Sequence, residues 1–275
     1  MIKLGLIGNG FVGGAARQLE CQQNIVCVYD LDTDKCLPKG TTLEDVAACD
    51  IIFVAVPTPS RKDGTCHTDI VVSVVAALKK ANAAANIIIR STVPPGTSKS
   101  LGVHFMPEFL TEANANQDFC NNPLWILGAL DKNISPILQQ LLTNAKTEGN
   151  IASDSLTVLS PTEAEMVKYV RNCFLSVKVA FFNELYDVCQ QHGCDYDAVR
   201  LAASADARIG SGHTKVPGPD GHRGFGGHCF PKDVAAWCTV NSQEHSIVDA
   251  ARKRNLELDR PEKDWEQDKG RAVVE

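Results

Sequence analysis

Lys3-Leu4-Gly5-Leu6-Ile7-Gly8-Asn9-Gly10-Phe11-Val12-Gly13 decides the fold. The apolar run Lys3 to Ile7 predicts a strand, and Phe11 to Glu20 predicts a helix. Between them Gly8, Gly10 and Gly13 form a G-x-G-x-x-G turn. Glycine there permits a tight bend and lets a pyrophosphate approach backbone N–H groups at the helix N-terminus. Ile25 to Tyr29 predicts the next strand, ending at Asp30. Asp30 lies about 20 residues beyond the glycines, where a carboxylate accepts the ribose hydroxyls of NAD and repels the extra phosphate of NADP. Lys35 is close enough to touch a phosphate, so NAD is favoured without NADP being excluded. Strand, turn, helix and acid in this order predict a dinucleotide site.

Working outward, Ile51 to Val56 predicts a strand ending at Pro57, and Ile87 to Ile89 another ending near Ser91. Strands alternating with helical stretches give an α/β class with a Rossmann-type parallel sheet covered on both faces. Between Asp30 and Ile51 there is room for little more than one short element. Near Asn150 the pattern changes. Thr162 to Gln191 contains neither Gly nor Pro, and Met166, Val170, Phe174, Val177, Phe181, Leu185 and Val188 recur at three- and four-residue spacing. That spacing predicts one long amphipathic helix. The chain therefore reads as a dinucleotide-binding domain over 1–152 and an all-α domain over 153–275, built on that helix. A glycine-rich loop from Ile209 to Gly227 and a helix beginning near Pro231 follow. The charged stretch from Arg252 reads as a solvated helix end and tail.

Composition narrows the class. The 275 residues carry 27 Lys+Arg against 33 Asp+Glu, a formal net charge of −6, with 44% hydrophobic and 22% charged residues. This excludes a disordered or collagen-like chain, and the acidic balance without a basic stripe argues against a dedicated nucleic-acid binder. No apolar run approaches the ~18 residues of a membrane span. Met1 to Gly5 is strand-like and has no signal-peptide anatomy. Eleven cysteines, an odd number without a Cys-x-x-Cys pair, favour reduced thiols in a cytoplasmic compartment.

Four groups of residues carry chemistry. In Gly224-Phe225-Gly226-Gly227-His228-Cys229-Phe230-Pro231-Lys232-Asp233, Pro231 suits the first turn of a helix. Cys229 then sits just before that helix, where the partial positive charge favours a thiolate. A nucleophile is the sharper reading and a buried structural thiol the blander one. Asp233 falls in the same first turn. Lys168 and Asn172, four apart on the long helix, share a face and together suit polarisation of a reacting oxygen. Glu163 and Glu165 suit the start of that helix. Glu108 and Glu112, around Phe109-Leu110, read equally well as loop acids or as functional carboxylates. His213, His222, His228 and Cys229 lack the spacing of a zinc site, so no metal is expected.

Taken together the motifs resemble the UDP-glucose/GDP-mannose dehydrogenase family. The resemblance runs through Gly8 to Gly13, Val54 to Pro59, Ser91 to Thr97, Pro107 to Glu112 and Glu163 to Asn172. It continues through Asn183 to Leu185, Arg208 to Gly210, and Gly224 to Asp233, covering residues 1 to about 245 in order. It implies oxidation of a nucleotide sugar, UDP-glucose first among them, from the C6 alcohol to the carboxylate. Two NAD and one water are used, through a Cys229 thiohemiacetal and thioester. Lys168 and Asn172 would stabilise oxyanions, Asp233 would join proton transfer, and Thr92 and Glu108 would position or activate water. Gly8, Gly10, Phe11, Val12, Gly13, Asp30, Lys35, Pro57, Thr58, Thr92 and Glu112 would hold the cofactor. Glu108, Phe109, Leu110, Lys168, Asn172, Phe225 and Gly226 would hold the substrate, with Arg208 reaching that of a neighbouring subunit in a homodimer built on the long helix. Uronate supply for a surface polysaccharide is the family expectation.

Members usually carry a third domain after the helical one, and this chain ends some thirty residues past the last clear match, so that domain is expected to be absent. Met106 stands where the family often has Asn, and Leu124-Trp125 replaces a polar stretch. Two other readings stay open. A β-hydroxyacid-type dehydrogenase shares the dinucleotide domain, the long helix and a Lys-x-x-x-Asn pair but needs no cysteine. A catalytically silent protein would bind NAD without turnover.

Overall fold

A computed structural model of the chain describes residues 1–241 and 243–274. The chain divides into two compact units, one formed by Met1–Thr58 with Thr68–Lys168, the other by Pro59–His67 with Tyr169–Glu275.

The first unit is a seven-stranded sheet in the order β2-β1-β3-β4-β5-β6-β7. Its strands are β1 (Ile2–Ile7), β2 (Asn24–Tyr29), β3 (Ile51–Val54), β4 (Ile87–Ile89), β5 (His104–Phe105), β6 (Trp125–Gly128) and β7 (Leu156–Leu159). All neighbours pair in parallel except β5 with β6. Both faces are apolar, as a sheet with helices on each side requires. On one face Leu4, Leu6, Phe53 and Ile88 meet Ala15 of α1 (Phe11–Ala16), Phe119 of α5 (Ala115–Cys120) and Leu138 and Leu141 of α6 (Ile134–Thr147). On the other, Ile7, Ile52, Val54 and Ile89 meet Val46 of α2 (Leu43–Ala47) and Val71, Val75 and Leu78 of α3 (Asp69–Ala81). A further short helix, α4, spans Thr97–Leu101.

The segment between Asp30 and Ile51 holds one 3₁₀ turn, Thr33–Lys35, and the five-residue α2. α2 carries a Thr42/Asp45 capping box, which satisfies two of its orphan N–H groups. Gly5 lets it press on the sheet: a Cβ there would meet Val46 Cγ1 at 2.6 Å. The strand predicted over 51–56 stops at Val54, and the helix predicted over 11–20 passes into a 3₁₀ turn at Arg17.

The long helix α7 runs Pro161–His192, through the first unit and into the second. Its predicted apolar stripe does not face the chain's own core. Val170, Phe174 and Phe181 are 57%, 64% and 60% exposed, and the buried positions include Ala164, Glu165, Lys168, Tyr169, Asn172, Cys173, Ser176, Ala180, Phe182, Asn183 and Cys189. The second unit adds α8 (Tyr196–Ser204), α9 (Phe230–Val240) and α10 (Ile247–Arg254). The stretch from Arg252 is not a wholly solvated tail. Asn255, Asp259 and Arg260 are buried, because Arg223 and Arg254 meet Asp259, and Asp220 and Asp264 meet Arg260, neutralising charges that sequence alone places in water. All eleven cysteines carry free thiols. Among the described residues no helix is long and apolar enough to cross a membrane.

Candidate active site

In the first unit the glycine turn has the shape a pyrophosphate needs. Gly8 has φ +91°, and a Cβ on it would lie 2.5 Å from Ala55 O. A Cβ on Gly13 would lie 1.9 Å from Gly8 O, while Gly10 has open space around its Cα. Asp30 closes the turn from β2: its Oδ2 accepts from Asn9 N at 2.7 Å and its Oδ1 from Asp32 N at 2.9 Å. Asn9 Nδ2 donates to Lys35 O at 2.8 Å, and Lys35 Nζ pairs with Asp32 at 3.2 Å. Phe11 and Pro57 are exposed, Val12 is half-buried and Thr58 is buried. These residues fit a dinucleotide: the turn is open where phosphate must come, and the carboxylate stands at the end of the second strand.

The acids after β5 separate. Glu108 is buried, with Oε2 accepting from Leu110 N at 2.8 Å and Oε1 from Lys168 Nζ at 2.5 Å. Lys168 Nζ also donates to Glu108 O at 2.8 Å and lies 5.8 Å from the Phe109 ring centroid. Thr92 is buried, whereas Glu112 is exposed at the start of a 3₁₀ turn. Phe109 packs against one face of the sheet and Leu110 against the other. Glu163 closes a reciprocal cap with Ser160. Glu165 is fully buried, accepting from Gly96 N at 2.5 Å and Ser98 N at 2.7 Å at the start of α4. Burial raises the Glu165 pKa against the pull of these bonds.

In the second unit Cys229 is the N-cap of α9, half-buried, with Pro231 in the first turn. Asp233, fully buried one turn on, accepts from Asn172 Nδ2 at 2.6 Å and from Lys232 Nζ at 2.5 Å. Burial acts against the Lys232 ammonium, but Asp233 together with the Cys66 and Cys229 sulfurs holds its pKa above the ordinary lysine value. Elsewhere burial pushes the Cys173 thiol up to about 12, the behaviour of an inert structural cysteine. Phe225 is buried with Cys173 and Val234, and Gly226 faces the Arg260 guanidinium. Arg208 is exposed and pairs with Asp206. His222 pairs with Glu262 and His228 with Asp268. Among the described residues no three metal-ligating side chains gather.

Several residues had no role in the sequence reading. Lys232 stood inside the quoted motif without one; its neighbour Asp233 was the available signal. Arg90 is 2% exposed between the Phe53 and Phe119 rings, its centre 5.2 and 5.8 Å from theirs, and burial pulls its pKa down to about 10 against the charge of Glu108. An arginine ending an all-apolar strand was its signal. Asn183 entered only through the resemblance, and Asn255 and Arg260 gave no signal, because Asn255 meets Phe225 and Arg260 meets Asp220, 30 and 40 positions away in the chain.

Comparison with known proteins matches residues 33–146 to the NAD binding domain of the UDP-glucose/GDP-mannose dehydrogenase family and 162–257 to its central domain. The UDP-glucose 6-dehydrogenase of Rickettsia bellii is 30% identical over 229 residues, 78% of this chain and 51% of its own. The chain spans about half the length of the curated relatives it matches. A UDP-glucose dehydrogenase structure from Pyrobaculum islandicum superposes with a TM-score of 0.80 at 27% identity, covering 93% of this chain and 68% of that one. A UDP-D-ManNAc dehydrogenase from Pyrococcus horikoshii shares the fold, with a TM-score of 0.77 at 19% identity over 92% of this chain and 68% of its own.

Proposed function

Because the chain belongs to the UDP-glucose/GDP-mannose dehydrogenase family and carries its NAD-binding domain, we propose that it oxidises the C6 alcohol of a UDP-sugar, UDP-glucose first among them, to the carboxylate, with Cys229 as covalent nucleophile. The observation that carries this reading is Cys229 at the N-cap of α9, followed within one turn by Lys232 and by an Asp233 that Asn172 engages. A single-hydride alcohol dehydrogenase has no use for a thiol in that place.

NAD supplies the hydride acceptor for both oxidations. In the first, C6 loses a hydride and its hydroxyl proton passes through the Asp233 network to water, giving an aldehyde. Cys229 Sγ then forms a bond to the aldehyde carbon, the carbonyl electron pair moves to oxygen, and Asn172 and Lys168 stabilise that oxygen. Loss of the second hydride leaves a thioester. Glu108, with Thr92, orients a water and takes its proton; the water oxygen bonds to carbon, the C–S bond breaks, and Cys229 leaves as thiolate. One water and two hydrides account for the change from alcohol to carboxylate.

Gly8 to Gly13, Asp30, Lys35, Pro57, Thr58, Thr92 and Glu112 are assigned to the cofactor, and Phe109, Leu110, Phe225 and Gly226 to the sugar. The exposed Val170, Phe174 and Phe181 on α7 support a homodimer through that helix, in which the exposed Arg208 would serve the neighbouring site.

The test is a panel of UDP- and GDP-sugars with NAD, counting NADH per sugar consumed. Two NADH per sugar, and no acid released by Cys229→Ser, are expected. One NADH per sugar with a fully active Cys229→Ser would overturn the proposal.

A further inference from the structure

The loop that delivers Cys229 is held from behind by a segment to which neither the sequence reading nor the reaction above gives a part. Asn255 opens the irregular turn Asn255–Asp259 and is 1% exposed. Its Oδ1 accepts from Phe225 N at 2.7 Å and its Nδ2 donates to Phe225 O at 2.9 Å. One amide thus engages both main-chain polar groups of a single loop residue, fixing position and tilt together. Gly224 N donates to Asn183 Oδ1 at 3.1 Å, so the same stretch is also tied to α7.

Arg260 completes the arrangement. A Cβ on Gly226 would stand 2.3 Å from Arg260 Cζ and 2.6 Å from each Nη, so the guanidinium rests directly against the Gly226 backbone. Its donors are taken up by carboxylates: Nη1 donates to Asp220 at 2.6 Å, and Nε and Nη2 to Asp264 at 2.6 and 2.7 Å. Arg260 N donates to Asn255 O at 2.8 Å, so the two clamping residues are themselves linked. A planar, doubly paired guanidinium is a rigid wall, which a lysine in the same place is not. Beyond it Gly227 has φ +70° and open space around its Cα, and two residues later comes Cys229.

We propose that Asn255 and Arg260 are positioning residues for Cys229, holding Phe225 and Gly226 so that the thiol is presented in one place. This rests on the reading of Cys229 as nucleophile. A nucleophile displaced by about 1 Å loses on the order of a hundred-fold in rate, so a clamp on its loop has leverage on turnover.

The test compares wild type with Asn255→Ala, Arg260→Lys and Gly226→Ala, the last adding only the Cβ that the guanidinium excludes. Four quantities are read: kcat with UDP-glucose, KM for NAD, the rate at which iodoacetamide alkylates Cys229 (by peptide mass), and the circular-dichroism melting curve. Expected are kcat values about tenfold to a hundred-fold lower and a changed alkylation rate. The KM for NAD should stay within about twofold, because the cofactor residues belong to the other unit. Unchanged kcat and alkylation in folded Arg260→Lys and Gly226→Ala would overturn the proposal. So would losses of kcat and NAD affinity that only track the amount of folded protein. Alkylation is informative even where no sugar turns over, which separates failure of the clamp from failure of the proposed reaction.

Discussion

Asn172 donates to Asp233 at 2.6 Å on one side of a carboxylate that Lys232 engages on the other. Asp233 is fully buried and Lys232 is 9% exposed, so the ammonium depends on that carboxylate for its charge balance. Removing one partner of a buried pair leaves an uncompensated charge, which costs about 3–5 kcal/mol. Asp233→Asn should lower unfolding stability by about that amount in urea titration. Asp233→Asn combined with Lys232→Met should recover much of the stability while turnover stays low. Equal stability of Asp233→Asn and wild type would show that water, not Asp233, balances Lys232.

Asp30 is bonded to the glycine turn itself, through Asn9 N. Its carboxylate therefore shapes the turn, and in the proposed function it also faces the place where NADP carries its additional phosphate. Asp30→Ser should shift the ratio of kcat/KM for NADP over NAD upward by about tenfold, mainly by weakening NAD. Steady-state kinetics with both cofactors measure this; a fall for both in equal proportion would confine Asp30 to shaping the turn.

The strands β1 to β4 were legible because both of their signals are local, apolar runs of strand length and glycines that a strand-to-helix turn requires, whereas β5, β6 and β7, with the antiparallel β5–β6 pairing, were not read from the sequence. The placement of Lys168 and Asn172 one turn apart on α7, and of Cys229 and Asp233 at the start of α9, was legible for the same reason, since helical spacing and a proline at a helix start are local signals. What escaped is set by long-range pairing. Arg260 reads as a solvated charge until Asp220, forty positions earlier, is found against it. The α7 stripe shows the converse limit. Periodicity reports that Val170, Phe174 and Phe181 share a face, and it cannot tell a face that meets the chain's own core from one left exposed.

Stability should fall on mild acidification through His104. Burial holds its pKa below the ordinary 6.5, with Asp131 opposing, and its Nδ1 accepts from Leu130 N at 3.2 Å. The folded state therefore keeps His104 neutral while the unfolded chain takes up a proton from pH 6.5 downward. Protonation favours the unfolded state, so stability present above that pH is lost as pH falls toward the folded value, at about 1.4 kcal/mol per unit of depression. His104→Asn, whose side-chain oxygen can take the same N–H but does not titrate, should flatten this part of the urea-stability profile. An unchanged slope in that variant would assign the loss to other groups.

Cys27 and Cys49 face each other at 3.3 Å between sulfurs, one on β2 and the other just after α2. Gly5 makes the meeting possible, since a Cβ there would lie 3.3 Å from Cys49 Sγ and 2.6 Å from Val46 Cγ1. The Cys49 thiol hydrogen-bonds Cys27 and lowers its pKa, while that same bond and burial raise the pKa of Cys49, an arrangement of one nucleophilic sulfur beside one protonated partner. Hydrogen peroxide should oxidise Cys27 to a sulfenic acid with release of water; Cys49 then displaces a second water, giving the disulfide. The closed loop, with a sequence separation of 22, contains Asp30 and Lys35. A cross-link over a loop of that size stabilises the fold by about 3 kcal/mol where geometry permits it. Peptide mapping after peroxide should therefore recover the 27–49 pair joined, reversibly with dithiothreitol, and the urea midpoint should rise in wild type but not in Cys49→Ser. Recovery of both peptides as free thiols, while Cys229 is oxidised, would show that the two sulfurs are held too rigidly to close.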